Sequence, residues 1–172
     1  SDIQKTGLAP IDDGFTIIKQ GPSTEDLDGQ TVTSHPQLPF QGLERHGSAF
    51  VRRLRLKIRP DILLEDIILI DSPGMIDVAN SKSERDYDFT ATVKSFAELA
   101  DLIIFFFEPD KPGTTGETRH VFTNALSGLE HKLLIVMNKV DRFAHIRDFA
   151  RAYGALCWNL AKVIHHKDLP HI

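Results

Sequence analysis

The chain predicts an α/β fold with a mostly parallel sheet and helices on both faces. Three observations predict it. Short apolar runs alternate with segments of helical periodicity. Two of the runs, Ile67-Ile68-Leu69-Ile70 and Leu133-Leu134-Ile135-Val136-Met137, read as buried strands. Each of these two gives way to a polar tetrapeptide: Asp71-Ser72-Pro73-Gly74 after the first and Asn138-Lys139-Val140-Asp141 after the second. In open α/β sheets, ligands bind just beyond the carboxyl ends of the strands.

The elements follow in order. Phe15-Thr16-Ile17-Ile18-Lys19 is short, β-branched and aromatic, and reads as a strand ended by Gly21-Pro22-Ser23. Residues 21–39 are turn-rich and polar and read as a long loop. Phe40, Leu43, Gly47, Phe50, Val51 and Leu54 fit helical spacing, whereas Arg53 to Arg59 alternates with period two. A helix up to about Arg53 and extended chain after it are expected. Leu64–Ile70 predicts a fully buried strand. Asp86–Ala100 predicts a helix with Phe89, Val93, Phe96, Ala97 and Ala100 on one face. Leu102–Phe107 predicts the next strand, and Pro109, Pro112 and Gly113 the loop after it. A helix starting at Thr115 or Gly116 packs through Val121, Phe122, Ala125 and Leu129. Leu133–Met137 predicts a third buried strand. Ile146, Phe149, Tyr153, Leu156, Leu160 and Ile164 mark a final amphipathic helix. Trp158 and Tyr153 are expected in the core of that helix, and Cys157 as a small buried apolar residue.

Composition bounds the function. A length of 172 residues suits one domain, and an apolar fraction of 41% supports a sizeable core. A net charge of −4 argues against general nucleic-acid binding. The lone Cys157 permits no internal disulfide, consistent with a reducing compartment. No signal-peptide pattern opens the chain, and apolar runs such as Leu102–Phe107 are too short to span a bilayer. A cytoplasmic location is expected, with any membrane contact made peripherally. The basic run Arg52, Arg53, Arg55, Lys57 and Arg59 reads as a solvated face. His165, His166 and His171 read as a fraying terminus rather than a metal clip.

The two loop motifs carry the chemistry. Asp71, a carboxylate at a strand end, can hold Mg²⁺ through its water shell, because Mg²⁺ takes few protein carboxylates and keeps several waters. Gly74 has no Cβ, so its backbone N–H can come close to a γ-phosphate. The Asp141 carboxylate can accept two hydrogen bonds from the edge of guanine. Asn138 can bond the purine or tie the loop together, and the aliphatic stem of Lys139 can lie on the base plane. Losing such paired polar contacts is costly, so a loop of this kind discriminates bases strongly. Alone, either motif is compatible with an ordinary turn; together, in this order and each after a buried strand, they point to nucleotide binding. No G-x-x-x-x-G-K-[ST] loop, which normally cradles the phosphates, occurs in the chain. Either the sequence begins after that loop or the domain lacks it.

These features together resemble the dynamin superfamily, and within it the EH-domain-containing ATPases. Ile68-Leu69-Ile70-Asp71-Ser72-Pro73-Gly74 is similar to the family's "IIDTPG". Arg85-Asp86-Tyr87-Asp88-Phe89 is similar to "RGYDF", and Phe96 to Asp101 to "FAERVD". Asn138-Lys139-Val140-Asp141 is followed by Tyr153 to Lys162, similar to "YGALMWSLGK", which is not a general GTPase feature. The resemblance implies a P-loop NTPase fold of the dynamin G-domain type, with the first strand and phosphate loop absent from this chain. Residues 1–172 are then part of one nucleotide-binding domain. It further implies Mg²⁺-dependent binding and slow hydrolysis of GTP or ATP, homo-oligomers formed through this domain, and membrane remodelling or trafficking by regions outside it. The EH-domain branch prefers ATP despite carrying Asn-Lys-x-Asp, so the motif leaves GTP against ATP open.

Two departures stand out besides the missing loop. Where the family's first switch reads "PTTDSF", this chain has Pro10-Ile11-Asp12-Asp13-Gly14-Phe15. Asp12 stands in place of the threonine that touches Mg²⁺ and the γ-phosphate. An aspartate can reach the metal but adds charge beside a triphosphate, unless Thr6 or Thr16 substitutes. Met75 stands where small GTPases carry a water-positioning glutamine, and a thioether orients water poorly; the catalytic residues are therefore left unassigned. Two alternatives to an active NTPase follow. One is a degenerate, non-hydrolysing domain used as an assembly module. The other is a translation-type or ribosome-assembly GTPase, against which the negative charge and the Tyr153–Trp158 segment both count.

Overall fold

The computed structural model describes residues 14–62, 65–75, 85–108, 116–162 and 164. Asp12, Asp13, Thr6, Leu64, the loop residues Pro109, Pro112 and Gly113, and the three C-terminal histidines lie outside the described residues. Backbone contacts divide the chain into two units, Ser1–Gly74 with Lys82–Thr92, and Met75–Ser81 with Val93–Ile172.

The first unit is built on β1 (Thr16–Gln20), β2 (Glu25–Asp28), β3 (Arg55–Arg59) and β4 (Ile68–Asp71), in the order β2-β3-β1-β4. β1 runs parallel to β3, but β4 is antiparallel to β1, and β2 is antiparallel to β3. The sheet is therefore mixed rather than mostly parallel. A parallel neighbour needs a crossover of a dozen or more residues. Residues 60–67 are too few for one, so β4 returns in the opposite sense. Phe15, Ile17, Leu54 and Leu56 are buried, together with Val32, Phe40, Leu43 and Phe50 from the segments that link β2 to β3.

Part of that link was expected to be loop. Instead residues 21–39 hold β2 and a short helix, α1 (Gly29–Ser34). β2 is Glu-Asp-Leu-Asp, a poor strand by propensity. Its basic partner compensates: Asp26 stands opposite Lys57 and Asp28 opposite Arg55, and Arg59 Nη1 lies 2.7 Å from Asp26 Oδ1. Opposite charges facing across a ladder support the pairing. The hydrogen bond from Arg59 holds the Asp26 carboxyl below its ordinary pKa. Asp28 also caps α1, accepting from Thr31 N at 2.8 Å. Four members of the basic run thus have structural tasks, Arg55, Lys57 and Arg59 against β2 and Arg53 through its pair with Asp86 at 3.2 Å. The helix expected up to Arg53 is two pieces, a 3₁₀ turn at Leu43–His46 and α2 (Ser48–Arg53). They are divided at Gly47, whose φ of +94° ends one and opens the other.

The expectation of full burial for β4 is not met. Ile67, Ile68 and Leu69 are all exposed, because β4 is an edge of the four-stranded sheet. An unbroken apolar run records what a strand could bury, not which neighbours it has.

The second unit carries β5 (Ile103–Phe107) and β6 (Leu133–Met137), a parallel pair in register from Ile103↔Leu133 to Phe107↔Met137. Phe105 and Phe107 are buried, and Phe105 lies 4.6 Å from Phe122 of α4 (Gly116–Asn124), ring centre to ring centre. Side chains alternate along a strand, so Ile104 and Phe106 take the other face and are exposed. The division between the units falls inside α3 (Phe89–Leu99). Lys132, just before β6, closes its C-terminal end: Nζ donates to the carbonyls of Ala100 at 2.8 Å, Glu98 at 3.1 Å and Ala97 at 3.5 Å. An ammonium there satisfies orphan carbonyls and complements the helix dipole.

α5 (Ile146–Leu160) buries Ala152, Leu156 and Leu160, which recur every four residues. Trp158 is two residues from both leucines, hence roughly 200° around the helix from either. It is 69% exposed and not in the core, and Tyr153 is also exposed. Cys157 is half-buried rather than buried. Among the described residues, no helix is long and apolar enough to cross a membrane.

Lys132→Met keeps the stem and removes the charge. The variant is expected to lose about 1–2 kcal/mol of unfolding free energy, read by urea denaturation against the unaltered protein.

Candidate functional site

Asp71 is the last residue of β4, directly opposite Thr16 across the antiparallel ladder. Directly opposed residues place their side chains on one face of the sheet. The register therefore sets a hydroxyl beside the carboxylate, at the end of the sheet where the chain leaves for its loop. Asp71 is exposed and Thr16 buried. Pro73 is buried, and the exposed Gly74 accepts a hydrogen bond at its carbonyl from Arg85 Nη2 at 2.7 Å. In the second unit, the sulfur of Met75 accepts from Thr118 Oγ1 at 3.4 Å. That contact gives the Met75 side chain a partner on α4.

The other motif leaves β6. Asn138 N donates to Phe107 O at 2.8 Å, which continues the β5–β6 ladder one step past the strands. Lys139 follows with φ 56° and ψ 31°, a left-handed conformation that costs a non-glycine residue about 1–2 kcal/mol. Three local features hold it there. Lys139 N donates to Asn138 Oδ1 at 2.9 Å. A 3₁₀ turn, Val140–Arg142, begins immediately after it. Its ammonium pairs with Glu108, the residue that follows β5. Strain concentrated at one residue of a polar loop is a mark of functional sites. The turn carries Asp141 into solvent, where its carboxylate is exposed.

Each motif is thus assembled locally. Asp71 and Gly74 belong to the first unit, and Asn138, Lys139 and Asp141 to the second. Sequence reasoning missed Glu108 and Arg85. Glu108 follows β5 as Asn138 follows β6, so an acid just past the neighbouring parallel strand was a signal that could have found it. Arg85 had no such signal, because its partner is a main-chain carbonyl.

The chemistry available is specific. An exposed carboxylate at a strand end with a hydroxyl opposite suits a Mg²⁺ ion held mainly by water and phosphate. Among the described residues, no group of three or more His, Cys, Asp or Glu side chains gathers into a metal cage. An open cavity of about 730 Å³ lies instead at the far end of the β1–β4 ladder, between Lys19–Pro22 and Glu65–Ile68. It shares no residue with either motif.

Strands paired in both senses, helices between them, and polar loops at two strand ends define a mixed α/β protein. No family model matches the chain. It is 32% identical over 166 residues to EH domain-containing protein 1 of Arabidopsis thaliana, an alignment taking in 96% of this chain and 30% of that protein. To EH domain-containing protein 1 of Homo sapiens it is 32% identical over 168 residues, covering 98% and 31%. To EH domain-containing protein 2 of Rattus norvegicus it is 34% identical over 160 residues, covering 93% and 29%. The chain is close in sequence to the EH domain-containing proteins, as its motifs indicated, and spans about 30% of the length of the curated relatives it matches.

Glu108→Gln removes the charge that anchors Lys139. The pair is partly exposed, so unfolding free energy is expected to change by less than about 1 kcal/mol. Hydrogen exchange at the amides of Lys139 to Asp141 is expected to accelerate. Unchanged exchange would show that Glu108 does not hold the loop.

Proposed function

We propose that this chain is part of the nucleotide-binding domain of a dynamin-like NTPase that hydrolyses GTP or ATP with Mg²⁺ and couples this to membrane remodelling or trafficking. The observation that carries the reading is the strained Lys139 loop at the ends of two parallel strands, with Asp141 turned to solvent. Ligands of α/β sheets bind at such ends. Sequence closeness to the EH domain-containing proteins supports the same reading.

The roles follow from the chemistry of each group. Asp71 holds Mg²⁺ through water, and the Thr16 hydroxyl stands beside it. Gly74 presents its N–H to the γ-phosphate. Asp141 accepts from the base edge, Asn138 ties the loop to β5, and the Lys139 stem, steadied by Glu108, lies on the base plane. When bound, Mg²⁺ neutralises charge on the phosphates and orients them for in-line attack. Homo-oligomers form through this domain, and the outward Trp158 is the kind of residue that protein interfaces enrich. Membrane contact is made peripherally by regions outside the chain.

A second reading is favoured by Met75. A thioether engaged with Thr118 contributes little to positioning water, which suits a domain that binds nucleotide but hydrolyses it slowly or not at all.

Calorimetry on the full-length protein with Mg²⁺, comparing non-hydrolysable GTP and ATP analogues, tests both readings. One analogue is expected to bind, and Asp71→Ala to weaken it by about tenfold or more. Binding of neither by a folded protein would overturn the nucleotide reading, whereas binding of an analogue with no phosphate release from the corresponding hydrolysable nucleotide would favour the assembly module. If the bound base is guanine, Asp141→Asn is expected to weaken it by about a hundredfold, because one acceptor becomes a donor. Unchanged GTP affinity in that variant would show that guanine is not read there.

A further inference from the structure

Arg85 to Phe89 form one of the stretches that carry the family resemblance, yet the nucleotide reading gives them no task. All five residues have a structural anchor. Arg85 Nη2 donates to Gly74 O at 2.7 Å, and the guanidinium carbon stands 3.9 Å from the centre of the Phe89 ring. Asp86 pairs with Arg53. Tyr87 is buried with its ring 5.8 Å from that of Phe50. Asp88 Oδ1 accepts from Ala91 N at 3.0 Å and so caps the first turn of α3. The buried Phe89 ring lies 5.9 Å from Phe15, whose neighbour Thr16 faces Asp71.

Gly74 is the residue of the loop with the most backbone freedom to lose. It is constrained from two sides. Buried Pro73 precedes it with a fixed φ, and Arg85 grips its carbonyl. A contact ordered beforehand binds more tightly than one that must be ordered by the ligand. We infer that Arg85 is a positioning residue: by holding the carbonyl of the Gly74–Met75 peptide it limits rotation about Gly74 and so keeps the preceding Pro73–Gly74 peptide, which carries the Gly74 N–H, ready for a terminal phosphate, with Phe89 as the platform that fixes the guanidinium. The inference rests on the reading of Gly74 as a γ-phosphate contact. It requires arginine, because a planar fork donates in its plane while stacking through its face, and a lysine ammonium cannot do both from one place.

The test is calorimetry on the full-length protein with Mg²⁺, using a non-hydrolysable triphosphate analogue and the diphosphate of the same base. Arg85→Ala is expected to weaken the triphosphate about tenfold and leave the diphosphate unchanged. Arg85→Lys, which keeps the charge, is expected to fall between. Thermal melting reports whether each variant is folded, and if Arg85→Ala is not, the triphosphate-to-diphosphate ratio of Arg85→Lys decides. A general structural role would weaken both nucleotides in step. That result, or an unchanged ratio in folded variants of a protein that binds both, overturns this inference alone. If the unaltered protein binds neither, the nucleotide reading fails and this inference with it.

Discussion

The antiparallel ladder between β1 and β4 is the constraint on which the phosphate-side half of the candidate site depends. β4 is four residues long, and Ile68 and Leu69 are exposed, so burial contributes little to its position. What holds it is main-chain pairing to β1, from Lys19↔Ile68 to Thr16↔Asp71. β1 can serve as the template because Thr16, Ile17 and Ile18 are all buried and β3 pairs with its other edge. A register slip of one residue would move Asp71 to the opposite face of the sheet, away from Thr16.

At the other motif a comparable precision comes from local geometry. The parallel register of β5 and β6 brings Glu108 and Asn138 level. One hydrogen bond, Asn138 N to Phe107 O, extends the ladder past the strand ends before the chain turns. The left-handed Lys139 then redirects the backbone so that Asp141 faces solvent. Lysine tolerates this conformation poorly. The conformation persists because the loop's own amide and the Glu108 carboxylate are arranged to receive it.

Charge does structural work elsewhere. The acidic β2 is held against basic β3 by facing pairs, and Lys132 gathers the carbonyls that end α3. Basic residues that read as a solvated face are thereby divided. Arg53 and Arg59 are tied to acids within the first unit and Arg55 and Lys57 face the acids of β2, while Arg52 is exposed. In each case a polar side chain offsets a local defect, a strand of poor propensity or an unsatisfied helix end, that apolar packing alone would not repair.

By itself the sequence determined the order of the principal elements and the two loop motifs. Both signals are local: strong apolar periodicity marks strands and helices, and a polar tetrapeptide after an apolar run marks a strand end. β1, β3, α3, β5, α4, β6 and α5 were all legible for that reason. What only the tertiary structure decided depends on partners distant in the chain. The strand character of Glu25–Asp28 comes from cross-strand charges on Arg55, Lys57 and Arg59, which local propensity does not register. The direction of β4 is set by the shortness of residues 60–67, and the exposure of Ile68 and Leu69 by the absence of a described strand on its outer edge. Trp158 turns outward because Leu156 and Leu160 claim the buried face of α5. The grip of Arg85 on Gly74 joins a side chain to a main-chain carbonyl, and a backbone oxygen has no letter in the sequence.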